Sequence, residues 1–251
     1  LRPLSCTRSK PMFPIANKPI LAWIIEGLAE AGVEEAILAV NYLANNIQSY
    51  FGSKFNGVRI KYAHESRPMG TGGPLWAARR WVKDGHSFLM LYGDIFSAFS
   101  YSELIDFHDR NGATATLALC EIEDVSMYGV AEMDSNGQVS RFLEKPEPWE
   151  SKSRLINAGA FVLDPSVYKY LPGRGRFSME RQVFPRLASE GRLFGHVFKE
   201  PWTDVGRPAD YLSANFLALE RCKPVHGPSS RVDAGATIVE PVALGARVRV
   251  K

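Results

Sequence analysis

Two aspartates and a lysine have side chains that could hold a divalent cation and phosphate groups. Asp94 follows an apolar run that ends at Tyr92, so it lies just beyond a predicted strand. In a sheet covered by helices on both faces, ligands bind beyond the carboxyl ends of the strands, and Mg2+ takes carboxylate and phosphate oxygens. Lys10 and Asp204 gain meaning only if the fold brings them to Asp94, because each alone is typical of a solvated loop charge or a capping residue.

Glycines and polar side chains recur together in four other segments. Residues 65–73 (ESRPMGTGG) precede a predicted helix, where glycines allow close approach of a ligand and the helix N-terminus favours anions. The three later segments are Tyr128-Gly129-Val130, Glu144-Lys145-Pro146 and Asn157-Ala158-Gly159. Each pattern also occurs in ordinary turns and hairpin ends, so none identifies a site alone.

The elements that would position these residues alternate between helix and strand. Apolar spacing predicts helices over residues 19–31, 45–51, 73–83, 102–110, 179–190 and 208–219. It predicts strands over residues 35–40, 58–63, 86–92, 113–120, 160–163 and 193–198. The alternation predicts an α/β fold with a doubly wound, mostly parallel, Rossmann-like sheet. Asn136-Gly137, between strand-like runs, predicts an added antiparallel hairpin.

The C-terminal tail has a different period. Aliphatic residues recur every six positions, with small or turn residues between them, at Val232, Ile238, Leu244 and Val250. This pattern predicts the beginning of a left-handed parallel β-helix, whose coils need stacked neighbours. We therefore expect two domains, over residues 1–222 and 228–251.

Composition excludes several classes of protein. The chain has 251 residues, of which 45% are hydrophobic and 23% charged, as in ordinary globular domains. A net charge of +3 with scattered basic residues predicts no nucleic-acid binding, and no apolar run reaches the ~18 residues of a membrane span. Cys6, Cys120 and Cys222 lack paired spacing, which predicts a cytoplasmic protein without a disulfide framework.

Taken in order, the segments resemble the sugar-1-phosphate nucleotidyltransferases, also known as NDP-sugar pyrophosphorylases. The N-terminal pieces Leu1-Arg2-Pro3-Leu4, Ser9-Lys10-Pro11 and Asn17-Lys18-Pro19 are similar to the latter half of the family signature G-x-G-T-R-L-x-P-…-K-P. The resemblance covers residues 1–218 and the start of the β-helix. Within the family, it is nearest to the mannose-1-phosphate guanylyltransferases and the glucose-1-phosphate thymidylyl- or uridylyltransferases.

The resemblance implies a role for each segment. Lys10 would neutralise charge on the transferring α-phosphate, and Asp94 and Asp204 would together hold a catalytic Mg2+. Nucleotide-binding residues would be Glu65, Gly70, Thr71 and Gly93. Residues binding the sugar phosphate would be Gly129, Glu144, Lys145, Asn157 and Gly159. The first domain would be the nucleotidyltransferase, and the β-helix would serve a homo-oligomer in the full-length protein.

The implied reaction joins an NTP to a sugar 1-phosphate, giving an NDP-sugar of the GDP-mannose or UDP/dTDP-glucose type and pyrophosphate. Because the attacking phosphate is already ionised, no strong general base is needed. One alternative is a metal-dependent glycosyltransferase, which would carry a D-x-D motif where this chain has Gly93-Asp94-Ile95-Phe96. Another is a non-catalytic regulatory or scaffolding homologue, against which retention of the charged site residues argues.

The glycine-rich half of the signature and its preceding strand do not occur in the chain. That strand is central in the family's fold, so we expect unpaired strand edges inside the sheet and little or no activity from the chain as written. The base and sugar are not specified, although the Glu65 carboxylate suits the N1–H and N2–H2 donors of guanine.

Overall fold

The computed structural model describes residues 1, 4–41, 43–65, 68–83, 85–173, 175–221 and 225–251. Several residues of the motifs above, namely Arg2, Pro3, Ser66, Arg67 and Cys222, lie outside the described residues. The chain divides into two compact units. Unit 1 comprises Leu1–Glu26, Gly93–Ala98 and Pro201–Lys251, and unit 2 comprises Gly27–Tyr92 and Phe99–Glu200.

The secondary structure alternates as the apolar spacing predicts. The α-helices are α1 (Ile20–Glu30), α2 (Ala44–Phe51), α3 (Gly73–Ala78), α4 (Tyr101–Asn111), α5 (Phe184–Ser189) and α6 (Pro208–Arg221). The strands are β1 (Pro14–Ile15), β2 (Lys18–Pro19), β3 (Glu35–Val40), β4 (Lys54–Phe55), β5 (Val58–His64), β6 (Phe88–Leu91), β7 (Ile95–Ser97), β8 (Ala115–Glu121), β9 (Gly129–Met133), β10 (Val139–Glu144), β11 (Leu155–Leu163), β12 (Leu193–Val197), β13 (Trp202–Asp204), β14 (Val225–His226), β15 (Arg231–Val232), β16 (Ala243–Leu244) and β17 (Arg249–Val250). No helix of the described residues is both long and apolar enough to cross a membrane.

Unit 2 is built on a six-stranded mixed sheet. Its order is β10-β9-β11-β8-β12, with β6 also paired to β11. Strand β12 is parallel to β8, whereas β11 is antiparallel to β6, β8 and β9. The α/β fold with an antiparallel hairpin, β9–β10, is confirmed. The sheet has more antiparallel pairs than the alternation predicts, because one reversed strand, β11, makes an antiparallel pair with every neighbour.

The core of unit 2 explains why β8 is an uninterrupted apolar run. Six of its seven residues are buried, so both faces of the strand are covered. Leu117 of β8, Phe161 of β11 and Phe184 of α5 belong to the same buried cluster and have no exposed surface. Phe161 and Phe184 are in ring contact, with centroids 5.1 Å apart. These contacts anchor β11, which carries two of the predicted site residues.

A smaller sheet in unit 2 contains a parallel pair. Strand β3 pairs in parallel with β5, and β4 and β5 form a hairpin through Asn56-Gly57. Among the described residues, β3 pairs only with β5, and β6 pairs only with β11.

Two predicted helices are irregular. The first has α geometry only to Ala78 and continues as a 3-10 turn over Arg79–Trp81. The second begins as a π-helix, Met179–Val183, and becomes α-helical at Phe184–Ser189. Pro185 lies in the first turn of α5, because proline has no N–H and is accommodated only where that group needs no partner. A π-helical turn is rare and often occurs near a functional site.

Unit 1 contains short strands, α6 and the tail. The Tyr211 hydroxyl donates to the Pro14 carbonyl at 2.6 Å, and the Asn215 side chain accepts from the Ala16 N–H at 3.0 Å, which fixes the N-terminal loop on α6. In the tail, β14 pairs in parallel with β16, and β15 with β17. Val232 pairs with Val250, so the offset equals three of the six-residue repeats.

Candidate active site

Strand pairing in unit 1 brings the two predicted metal-binding aspartates together. Asp94 immediately precedes β7, and Asp204 is the last residue of β13. The two strands pair antiparallel with Asp204 opposite Ile95, and the Val205 N–H donates to the Asp94 carbonyl at 3.1 Å. The sheet ladder, which is non-local in sequence, therefore joins two carboxylates that lie 110 positions apart.

Lys10 completes this cluster. Its Nζ lies 3.2 Å from Oδ2 of Asp94, and both side chains retain about a third or more of their exposure, 41% and 34%. Lys10 starts a 3-10 turn. The Phe13 N–H donates to the Lys10 carbonyl, and this hydrogen bond fixes the backbone of the lysine. Phe13 is buried, with its ring edge against Tyr211 at 5.6 Å. The loop therefore rests on an apolar anchor while its cation remains accessible.

The cluster has the electrostatics of a cation site. Burial raises the pKa of Asp204, the negative charge of Asp94 raises it further, and the Lys10 ammonium partly opposes both effects. Mg2+ commonly takes one or two protein carboxylates together with substrate phosphates, so Asp94 and Asp204 fit it. Across the described ranges, no group of three or more His, Cys, Asp or Glu side chains could hold a metal by itself.

Lys18 and Pro11, two further residues of the N-terminal signature, contact other residues of unit 1. Lys18 forms an ion pair with Glu26 and lies 3.3 Å from the centre of the Trp23 ring. A Cβ added to Gly93 would lie 3.2 Å from Cγ of Pro11, so glycine lets the strand end approach the lysine loop. The backbone at Gly93 thus has a packing requirement as well as its predicted role toward a nucleotide.

In unit 2, the predicted nucleotide loop is clasped by the segment that starts the π-helix. The Gly72 N–H donates to the Phe177 carbonyl at 3.2 Å, and the Phe177 N–H donates to the Met69 carbonyl at 3.1 Å. Gly70 has φ +77°, and a Cβ there would lie 2.2 Å from the Phe177 carbonyl oxygen. A Cβ on Gly72 would lie 1.9 Å from the Phe177 ring. These glycines are therefore required by packing within the protein.

Glu65 has a buried carboxylate oxygen beside this loop. Its Oε1 has no hydrogen-bond partner among the residues that the structure describes, and burial raises the pKa of the carboxyl. A Cβ added to Gly73 would lie 3.0 Å from that oxygen, so glycine leaves room for it. An unpaired buried oxygen is uncommon in native proteins, and ligand binding is one way to satisfy it.

The hairpin β9–β10 and strand β11 collect most residues predicted to bind the sugar. Glu144 is paired directly with Gly129, and a Cβ on Gly129 would lie 3.1 Å from Oε2 of Glu144. On β11, the buried Asn157 side chain accepts from the Gly159 N–H at 2.9 Å. Gly159 has φ +74° at an irregularity of the β8–β11 register, which re-aims the strand. Ile156 of β11 pairs with Val130 of β9, which connects the two halves of this group.

Glu144 and Lys145 differ in their surroundings. Burial raises the pKa of Glu144 and the charge of Glu180 raises it further, while Lys145 and Arg181 lower it. Lys145 adopts φ +53°, and its N–H donates to the Tyr128 carbonyl at 2.9 Å, which closes the hairpin end. The left-handed backbone at a lysine is unusual and turns the chain sharply directly after Glu144.

One member of this region was not predicted from the sequence. Glu180 is only 6% exposed and accepts hydrogen bonds from Thr71, Tyr92 and Ser178. Its position in a predicted amphipathic helix suggests an ordinary surface glutamate. The available signal was its place two residues after Ser178, in the first turn of the predicted helix, where a serine followed by an acidic residue more often indicates only a helix cap.

The chain is similar to proteins of known function. The family model described as nucleotidyl transferase matches residues 1–221. This chain belongs to that family.

Its relatives include a mannose-1-phosphate guanylyltransferase catalytic subunit beta from Dictyostelium discoideum, 36% identical over 89% of this chain and 62% of the relative. A probable mannose-1-phosphate guanylyltransferase 2 from Oryza sativa subsp. japonica is 38% identical over 97% of this chain and 68% of the relative. Among solved structures, HddC from Yersinia pseudotuberculosis complexed with GMP-PN is 27% identical, with a TM-score of 0.68 over 82% of this chain and 88% of that one. The chain thus spans about two thirds of the length of these curated relatives.

The comparisons confirm the family and the α/β fold expected from the ordered segments. The structure brings together Lys10, Asp94 and Asp204 in unit 1, and Gly129 with Glu144 in unit 2. The roles of the individual site residues stay predictions.

Proposed function

We propose that the protein transfers a nucleotidyl group from an NTP to a sugar 1-phosphate and releases pyrophosphate. The single observation that carries the proposal is the cluster of Lys10, Asp94 and Asp204, where two paired strands place carboxylates beside an accessible ammonium group. Charged oxygens and a cation of this kind suit phosphoryl chemistry, which depends on positioning and charge neutralisation.

For unit 1, we propose that Asp94 and Asp204 hold Mg2+, which would neutralise phosphate charge when bound. Lys10 would donate from its ammonium group to the transferring α-phosphate. The ion pair with Asp94 keeps the ammonium oriented until phosphate oxygens compete for it. Gly93 would let a phosphate or ribose approach the backbone closely.

For unit 2, we propose that the loop residues Gly70 and Thr71 bind the nucleotide and that Glu65 accepts from guanine N1–H and N2–H2. The buried Oε1 of Glu65, which has no partner within the described part of the chain, supports a carboxylate contact with a base that presents donors. The names of the relatives and the GMP-PN complex of HddC support a guanine nucleotide with mannose 1-phosphate as the first substrates to test.

The sugar phosphate would bind through the remaining group in unit 2. Glu144 and Asn157 would bond to sugar hydroxyls, because a carboxylate and an amide together offer acceptors and donors to a polyol. Lys145 would pair with the sugar phosphate. Gly129 and Gly159 would leave room for the ring, as the short distance from a Gly129 Cβ to Glu144 indicates.

Pyrophosphate release across four NTPs and mannose, glucose and N-acetylglucosamine 1-phosphates tests the reaction. In the full-length protein, Asp94→Asn should lower turnover by orders of magnitude, whereas substitution of an exposed aspartate on α4, Asp106→Asn, should leave it unchanged. Unaltered pyrophosphate release by Asp94→Asn would contradict the proposal. Release of free NDP onto a sugar acceptor would favour a glycosyltransferase, and NTP binding without turnover would favour a scaffolding homologue.

We further propose that residues 1–222 form the nucleotidyltransferase domain and residues 228–251 begin a hexapeptide-repeat β-helix. Parallel pairing of Val232 with Val250 supports the second assignment, since three hexapeptides make about one coil. Because stacked coils need neighbours, we propose a homo-oligomer. Because the cysteines lack paired spacing, we propose that the protein is located in the cytoplasm.

A further inference from the structure

The carboxylate of Glu180 is almost completely buried yet carries three hydroxyl donors. Its Oε2 accepts from the Thr71 hydroxyl at 2.5 Å and from the Ser178 hydroxyl at 2.6 Å, and its Oε1 accepts from the Tyr92 hydroxyl. Glu180 is only 6% exposed. Three donors on two oxygens leave the carboxylate well satisfied, as a buried charge requires.

Thr71 links this carboxylate to the nucleotide loop, which we define as residues 68–73. The Thr71 hydroxyl donates to Glu180 and at the same time accepts from the Met179 N–H at 3.0 Å. The Glu180 acceptor therefore fixes the direction of the Thr71 proton and leaves the threonine oxygen for Met179. Without that acceptor, the hydroxyl would be free to rotate, and the bond that holds the loop to the π-helix would lose its orientation.

Tyr92 gives Glu180 a second line of contact. It ends the chain segment of unit 2 that contains β6, and its N–H donates to the Gly159 carbonyl at 2.9 Å. Its ring packs edge-on against Phe161, with centroids 5.4 Å apart. Burial and the neighbouring Glu180 charge hold the pKa of Tyr92 well above its usual value, so the phenol remains a donor. Glu180 therefore joins the loop to the strand whose backbone contacts Gly159.

A role in stability alone does not account for a charged group here. Burying a carboxylate costs free energy, and the Glu180 charge also acts on Glu144, whose pKa is raised first by burial and then further by Glu180. The backbone bonds between Phe177 and the loop already hold the two segments together. A carboxylate is the group that can fix three hydroxyl protons at once, because it accepts at every lone pair and donates none.

We infer that Glu180 is a positioning residue, whose carboxylate orients Thr71 and Tyr92 and so holds the nucleotide loop in the conformation that receives the NTP. The inference rests on the proposed function, because it assigns the loop to nucleotide binding. It requires no contact between Glu180 and the substrate. Loss of the carboxylate should therefore weaken NTP binding with a smaller effect on binding of the sugar phosphate.

The test compares Glu180→Gln with Glu190→Gln in the full chain. Glu190 is a matched control, since its carboxylate also accepts from a tyrosine hydroxyl, that of Tyr170 at 2.7 Å, but at an exposed position directly after α5. Titration calorimetry with GTP should give a Kd about tenfold higher for Glu180→Gln, the loss of one charge-assisted hydrogen bond, and no change for Glu190→Gln. Thermal unfolding of each variant measures its folded fraction.

A second variant keeps the test independent of folding defects. Thr71→Val removes the hydroxyl while retaining the shape, and it should raise the Kd for GTP by a similar factor. In the double variant, the two effects should be less than additive, because both remove the same hydrogen bond. Additive effects, or an unchanged Kd in Glu180→Gln despite a lower Tm, would overturn the inference in favour of a structural role.

The outcome for the wild-type protein separates the inference from the function on which it rests. If the full-length wild type binds GTP but releases no pyrophosphate, the proposed reaction fails, and a tenfold shift in Kd would still support the role of Glu180. If the wild type binds none of the four NTPs, the inference is overturned, since the loop then receives no nucleotide. In Glu180→Gln, a rise in KM for the NTP that exceeds the rise in KM for the sugar phosphate would support the inference.

Discussion

Two glycines with similar positive φ angles provide a controlled measurement of how tightly the nucleotide loop is packed. Gly70 has φ +77° and Gly57 has φ +87°, and both are exposed in unit 2. A Cβ on Gly70 would lie 2.2 Å from the Phe177 carbonyl oxygen, whereas a Cβ on Gly57 would have nothing within 4 Å. The two alanine variants therefore share the backbone strain and differ in the steric clash.

The expected magnitudes follow from this difference. A left-handed backbone costs an L-residue roughly 1–2 kcal/mol relative to glycine, which applies to both Gly57→Ala and Gly70→Ala. The clash is with backbone, which cannot rotate away, so Gly70→Ala should lose about 1–3 kcal/mol more through forced displacement of the loop. For a protein of this size, that difference corresponds to roughly 2–12 °C in Tm.

Thermal unfolding followed by circular dichroism provides the assay, with GTP affinity measured on the same samples. Gly70→Ala should also bind GTP more weakly, because the loop must move away from Phe177. Gly57→Ala should bind GTP like the wild type, since its turn joins β4 and β5. Equal Tm shifts for the two variants would refute the packing argument, and a destabilised Gly70→Ala with unchanged affinity would refute the link between loop position and binding.

Three further outcomes are expected. Asp204→Asn should lower the Mg2+-dependent rate of pyrophosphate release by at least about 100-fold with little change in Tm; a rate near that of the wild type would show that this carboxylate is dispensable. Burial lowers the pKa of His108, so the unfolded state binds more protons and the stability of the protein should fall as pH drops below about 6.5. The denaturant midpoint of His108→Gln should fall less over the same pH range, and a pH profile identical to that of the wild type would show that His108 does not cause the loss. Burial raises the pKa of the Cys120 thiol to about 12, so this thiol should react slowly with a thiol reagent at neutral pH. In a Cys222→Ser background, the reagent should label the exposed Cys6 first and Cys120 only on unfolding, and rapid labelling of both in the folded protein would contradict the burial of Cys120.

Local sequence patterns were sufficient to predict most helices and strands. The run at residues 35–40 is the strand Glu35–Val40 without any change of bounds, and Asn136-Gly137 lies in the turn of the β9–β10 hairpin. These features depend on apolar periodicity and on turn residues that tolerate positive φ, both of which act over a few positions. Helix geometry was less predictable at residues 179–190, where a π-helix over Met179–Val183 precedes an α-helix that begins at Phe184.

The sequence by itself determined the ordered set of polar segments and, through them, the family. It predicted Lys10, Asp94 and Asp204 as partners, but only the antiparallel pairing of β7 with β13 shows how the two aspartates meet. Tertiary structure alone decided that Gly70 and Gly72 fit against Phe177 and that Glu180 is buried beneath three hydroxyls. The physical reason is that burial and close contact depend on residues far apart in sequence, such as Thr71 and Glu180, whose proximity is set by strand order and core packing, whereas periodicity and turn chemistry are local.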